Sequence, residues 1–184
     1  ARQRRCFRSG STLSYKKRMA ALTRLERLVT EHENEIQDAL RLDLGKSAAE
    51  SYMCETGLLL NEIHYLKHHL RLWMQDRIVP TPLAQFCSTS YQKPSPYGVT
   101  LIMSPWNYPL LLTLEPLADA LAAGNTAILK PSAYSIHTSR LMERLIPAYF
   151  PAYRVAVVTG GRAENAALLE QHFDYIFFTG SKSV

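Results

Sequence analysis

The sequence predicts an α/β fold in which helices at the N-terminus precede a parallel β-sheet. The first 75 residues carry amphipathic patterns at helical spacing. After residue 97, short apolar runs alternate with helical patterns, and strands joined by helical crossovers are usually parallel and buried on both faces. Residues 78–96 differ from both parts because they are rich in Pro, Ser and Thr.

The first of three expected N-terminal helices follows Ser11 or Ser14, either of which could cap it. Its apolar residues recur at helical spacing and form one stripe: Met19, Leu22, Leu25 and Val29. This spacing is typical of an amphipathic surface helix.

Two capping-box patterns mark the next two helices. Thr30 is followed by Glu33, and Ser47 by Glu50, so each pair could satisfy two backbone donors reciprocally. We expect these helices near residues 31–42 and 48–75. Trp73 is expected to lie in the core with the leucine stripe of the longer helix.

Residues 78–96 predict a loop and a β-arm lying away from the core. An arm of this kind has unpaired backbone edges, so it should pair with another segment or with another subunit. The arm therefore favours a homodimer.

Beyond residue 97, four apolar runs predict strands. These are GVTLIM, TAILK, VAVVTGG and DYIFFTG. Helices are expected over residues 109–122, after Ser135 as a cap, and over residues 162–171. The carboxyl ends of parallel strands meet at one edge of a sheet, which is where open α/β sheets bind ligands.

The turn after the first of these strands, SPWNYP, places one amide side chain among prolines and aromatics. Pro105 should end the strand because proline cannot donate to a ladder, and Pro109 suits the first position of a helix. Asn107 then lies in a rigid turn at the ligand-binding edge. The alternative is that it is only a turn residue, since Asn is common in turns.

The other strand ends suggest a nucleotide. Lys130 would supply a cation, while Gly160, Gly161 and Gly180 would allow close approach of the backbone. A G-x-G-x-x-G fingerprint does not follow the first strand, so an unusual dinucleotide site is required. The alternatives are a solvated surface lysine and, for the TGS segment, a helix-capping turn.

Three motifs carry a resemblance to a known family: SPWNYP, AAGNTAILKPS and FTGSKSV, in that order. With them the chain resembles the N-terminal part of an aldehyde dehydrogenase, most closely the class 3 branch. The segments DLGKSAAESYMCE and STSYQKPSPYG also fit, so the likeness spans nearly the whole chain. The resemblance implies a helical segment over 1–77, an oligomerisation arm over 78–96, and a Rossmann-like cofactor region over 97–184, truncated before the catalytic domain.

The resemblance also implies a reaction, the oxidation of aldehydes to carboxylic acids with NAD, or with NADP. In this family a cysteine thiolate attacks the aldehyde, hydride passes to the nicotinamide, and a glutamate helps to hydrolyse the thioester. The first step creates an oxyanion that needs hydrogen-bond donors, and Asn107 matches the family's catalytic asparagine. The family's cysteine and glutamate fall beyond the position of Val184, and Cys6, Cys54 and Cys87 do not match by motif. We therefore expect residues 1–184 alone to be inactive.

The resemblance assigns cofactor contacts as well. Lys130 matches a lysine that hydrogen-bonds the ribose, Trp106 belongs to the wall beside it, and Ser181 would approach the pyrophosphate. The full expected set is Ser104, Pro105, Trp106, Lys130, Ser132, Gly161, Thr179, Gly180, Ser181, Lys182, Ser183 and Val184. Ala133 stands where many relatives carry a glutamate that binds the ribose hydroxyls, so NADP should also be accepted.

Composition argues against other functions. The chain of 184 residues has no apolar run of the roughly 20 residues that span a bilayer, so we expect a soluble protein. Its net charge of +5 comes mainly from residues 1–50, with 11 basic against 7 acidic side chains, and is attributed to a solvated helix face rather than to nucleic-acid binding. Three widely spaced cysteines fit a reducing cytoplasm. No metal site is expected, because His64 and His68 lack the Glu of H-E-x-x-H.

Two alternatives to aldehyde oxidation stay open. One is an acylating relative that passes the thioester to coenzyme A or to a phosphate ester. The other is a fragment that binds a dinucleotide or dimerises without catalysis.

Overall fold

The computed structural model describes residues 1–181. The helices in this range are α1 (Arg2–Arg8), α2 (Tyr15–Glu31), α3 (Glu33–Leu44), α4 (Ala48–Ser51), α5 (Gly57–Trp73), α6 (Leu111–Ala123), α7 (Ile136–Tyr149) and α8 (Arg162–Leu169). A π-helix over Tyr52–Thr56 joins α4 to α5, and a short 3₁₀-helix covers Leu83–Gln85. The strands are β1 (Arg77–Val79), β2 (Ser90–Gln92), β3 (Val99–Met103), β4 (Thr126–Lys130), β5 (Val155–Val157) and β6 (Tyr175–Phe178). Within the same range, no helix is both long enough and apolar enough to cross a bilayer.

The predicted parallel sheet is confirmed. Its strand order is β5-β4-β3-β6, and every neighbouring pair is parallel. Leu101 of β3 lies opposite Ile128 of β4 and Ile176 of β6. All five residues of β3 are buried, as expected for an apolar strand that is covered on both faces.

A single apolar core joins the N-terminal helices to the sheet. It contains Leu22 and Leu25 of α2, Ile36 and Leu40 of α3, Leu59 and Ile63 of α5, Leu114 and Leu117 of α6, and Leu141 and Leu145 of α7. Full burial of such a side chain contributes about 1.5–3 kcal/mol. The prediction for Trp73 is wrong, because the residue is 43% exposed and its ring stacks on His69 at the end of α5.

Local capping signals were only partly correct. Ser14 accepts a hydrogen bond from the third backbone N–H of α2 at 3.4 Å, and Ser47 does the same for α4 at 3.2 Å. The Thr30 prediction is wrong, because α2 continues through this residue and its hydroxyl donates to the carbonyl of Glu26. A β-branched hydroxyl can bond to its own helix in this way instead of starting a new one.

The basic N-terminus is not wholly solvated. Arg2, Arg5 and Arg8 are exposed on α1, as a solvated face requires. Arg4 instead forms an ion pair with Asp174 at 2.9 Å. Asp174 also accepts from the backbone N–H of Val99, so the pair links α1 to the starts of β3 and β6.

The segment between α5 and β3 projects apolar side chains into solvent. Strand β1 pairs antiparallel with β2, with Arg77 opposite Gln92. Ile78, Leu83 and Phe86 are all at least 80% exposed. Pairing within the segment satisfies part of its backbone, while its apolar side chains stay uncovered.

Candidate functional site

The carboxyl edge of the parallel sheet brings together the predicted strand-end loops. The loops that leave this edge cover residues 104–110, 131–135, 158–161 and 179–181. The parallel arrangement of the four strands is what places these loops, distant in sequence, at one edge. Predicted residues Lys182, Ser183 and Val184 lie outside the described residues.

The turn after β3 is held rigidly while its amide side chain is exposed. The hydroxyls of Ser104 and Thr113 lie 2.5 Å apart, and Thr113 donates to the carbonyl of Pro109 at 2.6 Å. Ser104 is buried, so its hydroxyl ties the turn to α6. Asn107 is exposed, and within residues 1–181 its carboxamide makes no hydrogen bond. The amide is therefore free to bind a ligand.

A buried ion pair, Lys46–Glu55, contacts the backbone of this turn. The ammonium of Lys46 lies 2.5 Å from Glu55 and donates to the backbone carbonyl of Asn107 at 3.2 Å. The second carboxylate oxygen of Glu55 accepts from the backbone N–H groups of Leu110 and Leu111 at 2.9 and 3.1 Å. Sequence reasoning missed both charged residues. The available signal was that the turn before α6 offers no polar side chain that caps the helix.

The loop after β4 is anchored by a residue that the sequence did not predict. Ser135 does not cap α7, so that prediction is wrong; its hydroxyl donates instead to the carbonyl of Trp106 at 3.1 Å. The cap is Asp43, whose carboxylate accepts from the backbone N–H groups of His137 and Thr138 at 2.9 and 2.7 Å. Ser135 thereby ties this loop to the Asn107 turn.

Lys130 is buried at the mouth of the site, with 3% of its surface exposed, so the solvated-lysine alternative is wrong. Its ammonium donates to the carbonyls of Gly160 and Pro131 at 2.7 and 3.1 Å. Burial lowers the pKa of Lys130, and the nearby Glu164 partly offsets this effect. An ammonium group has three donors, so one remains for a ligand.

The two glycines after β5 differ, because Gly160 lies against Glu164 and Gly161 has an open backbone. Gly160 has a φ of +121°, which favours glycine, and a Cβ there would lie 2.5 Å from Glu164. A Cβ on Gly161 would meet no atom within 4 Å. The backbone N–H of Gly161 donates to Glu164 at 2.6 Å, and backbone hydrogen bonds hold the pKa of this carboxyl below its usual value.

Other predicted residues surround these groups. Trp106 is exposed, and Pro105 and Ser132 are half-buried. The Ser132 hydroxyl accepts from the backbone N–H of Tyr134 at 3.2 Å. The backbone N–H of Thr179 donates to the carbonyl of Met103 at 3.1 Å, which extends the β3–β6 ladder to the loop.

A cleft of about 450 Å³ lies beside the end of β6. It is lined by Met103, Asn165, Leu169, Ile176, Phe178, Gly180 and Ser181. The Oδ1 atom of Asn165 is buried and, within the described part of the chain, accepts no hydrogen bond. The cleft is therefore lined mainly by apolar side chains.

Comparisons with known proteins agree with this fold. The aldehyde dehydrogenase family model matches residues 1–184. Aldehyde dehydrogenase family 3 member B1 of Bos taurus is 44% identical over 183 residues, which cover 100% of this chain and 39% of that protein.

Solved structures show the same likeness. AldH of Staphylococcus aureus, in a substrate-bound state, is 40% identical with a TM-score of 0.96 over 99% of this chain and 40% of that chain. A betaine aldehyde dehydrogenase of Staphylococcus aureus in complex with NAD⁺ is 26% identical, with a TM-score of 0.80 over 96% of this chain and 36% of that chain. The chain spans about two fifths of the length of these relatives.

Proposed function

The chain belongs to the aldehyde dehydrogenase family, and from this premise we propose that it forms part of an NAD(P)-dependent enzyme that oxidises aldehydes to carboxylic acids. The observation that carries the proposal is the exposed carboxamide of Asn107 on a clamped turn at the carboxyl edge of the sheet. Its relatives of the family 3 type support the same activity.

Asn107 acts as an oxyanion donor in this proposal. When a thiolate attacks an aldehyde, a C–S bond forms and the carbonyl oxygen becomes an oxyanion. The side-chain NH₂ of Asn107 can donate to that oxygen, whereas a carboxylate at this position could only accept. Since the turn is already fixed, the donor needs little reorganisation at the moment of reaction.

The thiolate comes from outside residues 1–184 in this proposal. Cys6 lies on α1, Cys54 in the π-helix and Cys87 in the projecting segment, so none belongs to the loops at the carboxyl edge. In this proposal, residues 1–184 alone bind and orient the cofactor but do not turn over an aldehyde.

The residues at this edge fit a nicotinamide dinucleotide, which supplies the hydride acceptor when bound. The third donor of Lys130 is available to a ribose hydroxyl, and the open backbone at Gly161 allows a close approach. The remaining proposed contacts come from Ser104, Pro105, Trp106, Ser132, Thr179, Gly180, Ser181 and the residues that follow. Ala133 places no carboxylate against a 2′-phosphate, which favours acceptance of NADP beside NAD.

The test is substitution of Asn107 in the full-length enzyme. Asn107→Ala should lower kcat/KM for the aldehyde by roughly 10²–10³, and Asn107→Asp should be no better, because a carboxylate cannot donate. Asn34→Ala, on the exposed surface of α3, is the matched control and should leave the rate unchanged. A kcat/KM within threefold of the parent for Asn107→Ala would refute the proposal.

The second candidate, a dinucleotide-binding chain without catalysis, is favoured by the position of the three cysteines. NAD should then raise the thermal midpoint of the 184-residue chain while aldehyde-dependent NADH formation stays absent. An acylating relative would instead make its product only when coenzyme A or phosphate is supplied.

Organisation and assembly complete the proposal. Residues 1–77 and 97–184 together form the cofactor-binding part, and residues 78–96 form an arm through which two copies make a homodimer. The uncovered apolar side chains of the arm support this assembly. A small-molecule aldehyde is the substrate, nucleic acid is not a partner, and three free cysteines fit a cytoplasmic setting.

A further inference from the structure

A π-turn immediately before α5 contains Glu55, the residue that contacts the Asn107 turn. The π-helix Tyr52–Thr56 includes Glu55, which is fully buried. Single π-turns are rare and often occur at functional sites, because the extra residue changes the direction of the side chains around it. Glycine at position 57 permits the π-turn over Tyr52–Thr56, because a Cβ on Gly57 would lie only 2.7 Å from the carbonyl oxygen of Tyr52.

Glu55 contacts one end of the Asn107 turn. One carboxylate oxygen accepts from the first backbone N–H groups at the start of α6. A carboxylate is stabilised at a helix N-terminus by these donors and by the helix dipole. The start of α6 is thereby fixed relative to α5.

Lys46 contacts the turn at Asn107 itself. Its ammonium lies against Glu55 and donates to the carbonyl of Asn107, and it also sits 4.3 Å from the centroid of the Tyr108 ring. Within residues 1–181, the polar and ring contacts of the ammonium therefore go to Glu55 and to the Asn107–Tyr108 region. The ion pair connects the peptide after Asn107 to the N-terminus of α6.

Stability alone does not explain such a pair. Removing two charges from water costs about as much as their mutual attraction returns, so a buried ion pair contributes little net stability compared with apolar residues. A pair that ties the carbonyl of Asn107 to the start of α6 does constrain the direction of the exposed amide.

We propose that Lys46 and Glu55 are positioning residues for Asn107. The Lys46 donor fixes the peptide plane after Asn107, and Glu55 fixes the helix that this peptide enters. Neither side chain touches the substrate. The inference rests on the proposed oxyanion role of Asn107.

The principal test variant is the double substitution Lys46→Met with Glu55→Gln in the full-length enzyme. It removes both charges together, so neither is left buried without its partner, and Gln keeps an acceptor for the start of α6. The single-turnover rate of NADH formation should fall about 10- to 100-fold, the order expected when a reacting group is misplaced by about 1 Å. The affinity for NAD and the thermal midpoint should change little.

A double-mutant cycle separates positioning from a general structural role. If the pair acts through Asn107, the same double substitution should cause no further loss of rate in an Asn107→Ala background. Lys46→Arg, which keeps the charge and donor groups, should retain more activity than Lys46→Met with Glu55→Gln. Lys67→Met with Glu26→Gln removes a partly buried pair of the same residue types, at 2.6 Å, and is the matched control with an unchanged rate.

Each outcome decides the matter. An unchanged single-turnover rate, or losses that simply add to that of Asn107→Ala, overturns the positioning role while the function stands. If Asn107→Ala leaves the rate unchanged, the oxyanion role of Asn107 is wrong, and so is the positioning role of Lys46 and Glu55. If the double variant does not fold, Gly57→Ala, which keeps every polar group but strains the π-turn, takes its place in the same cycle.

Discussion

Replacing Asp43 tests whether the N-terminal helices support the loop after β4. The Asp43 carboxylate accepts three hydrogen bonds, from the backbone N–H groups of His137 and Thr138 and from the Thr138 hydroxyl at 2.7 Å. Loss of a helix cap costs about 1–2 kcal/mol. Because Thr138 is fully buried, its hydroxyl loses its partner away from water, which costs about 1–2 kcal/mol more.

Asp43→Ala should therefore lower the free energy of unfolding of the 184-residue chain by about 2–4 kcal/mol. Asp43→Asn, which keeps one acceptor oxygen but loses the charge and the second acceptor, should cost less than Asp43→Ala, about 1–2 kcal/mol. Urea titrations followed by circular dichroism measure both, with m held common if the unfolded states are alike. Asp38→Ala on the exposed face of the same helix is the control and should change stability by less than about 0.5 kcal/mol. If Asp43→Ala proves no more destabilising than Asp38→Ala, the anchoring role is wrong.

Three further outcomes are expected. Desolvation and two neighbouring glutamates raise the pKa of Asp119 from 3.8 to about 6. The folded chain therefore binds a proton at Asp119 as the pH falls through about 6. Because the unfolded chain binds this proton only at lower pH, the ionised carboxylate makes the fold less stable above about pH 6. Asp119→Asn should raise the free energy of unfolding at pH 8 by about 1 kcal/mol or less, since solvent screens the exposed side chain. This gain in stability should shrink toward pH 4. Equal gains at pH 8 and pH 4 would contradict the prediction. Gly160 has a φ of +121° and lies against Glu164, so Gly160→Ala should lower the free energy of unfolding in urea by about 1–3 kcal/mol. Gly161→Ala should lower it by less. Similar losses for the two variants would argue against backbone strain at Gly160. Ile78→Lys in the exposed arm should shift the full-length enzyme from dimer to monomer in light scattering, and an unchanged mass would count against the arm as an interface.

Sequence reasoning succeeded where the signal is local. The apolar runs that became β3 and β4 are buried because of their own composition. Ser14 caps the helix that immediately follows it. The Asn107 turn could be recognised for the same reason, since prolines restrict the backbone without help from distant residues.

Sequence reasoning failed where a side chain had several local uses. Thr30 and Ser135 both carry hydroxyls at suitable cap positions, but one bonds within its own helix and the other bonds to a neighbouring loop. Trp73 has the spacing of a core residue, yet it lies in the last turn of α5 and is partly exposed. Spacing gives the face of a helix but not where its partner surface ends.

The two most important supports of the site come from far along the chain. Asp43 caps α7 from 94 and 95 residues away, and Glu55 holds the start of α6 from 55 and 56 residues away. The two helices they hold follow β3 and β4; Asn107 lies in the loop after β3, and Lys130 is the last residue of β4. The N-terminal helices are thus more than an appendage to the sheet, because they supply the carboxylates that fix both loops. Since a buried helix start must find acceptors or water for its free N–H groups, a helix without a local cap is itself a signal to look for a distant carboxylate.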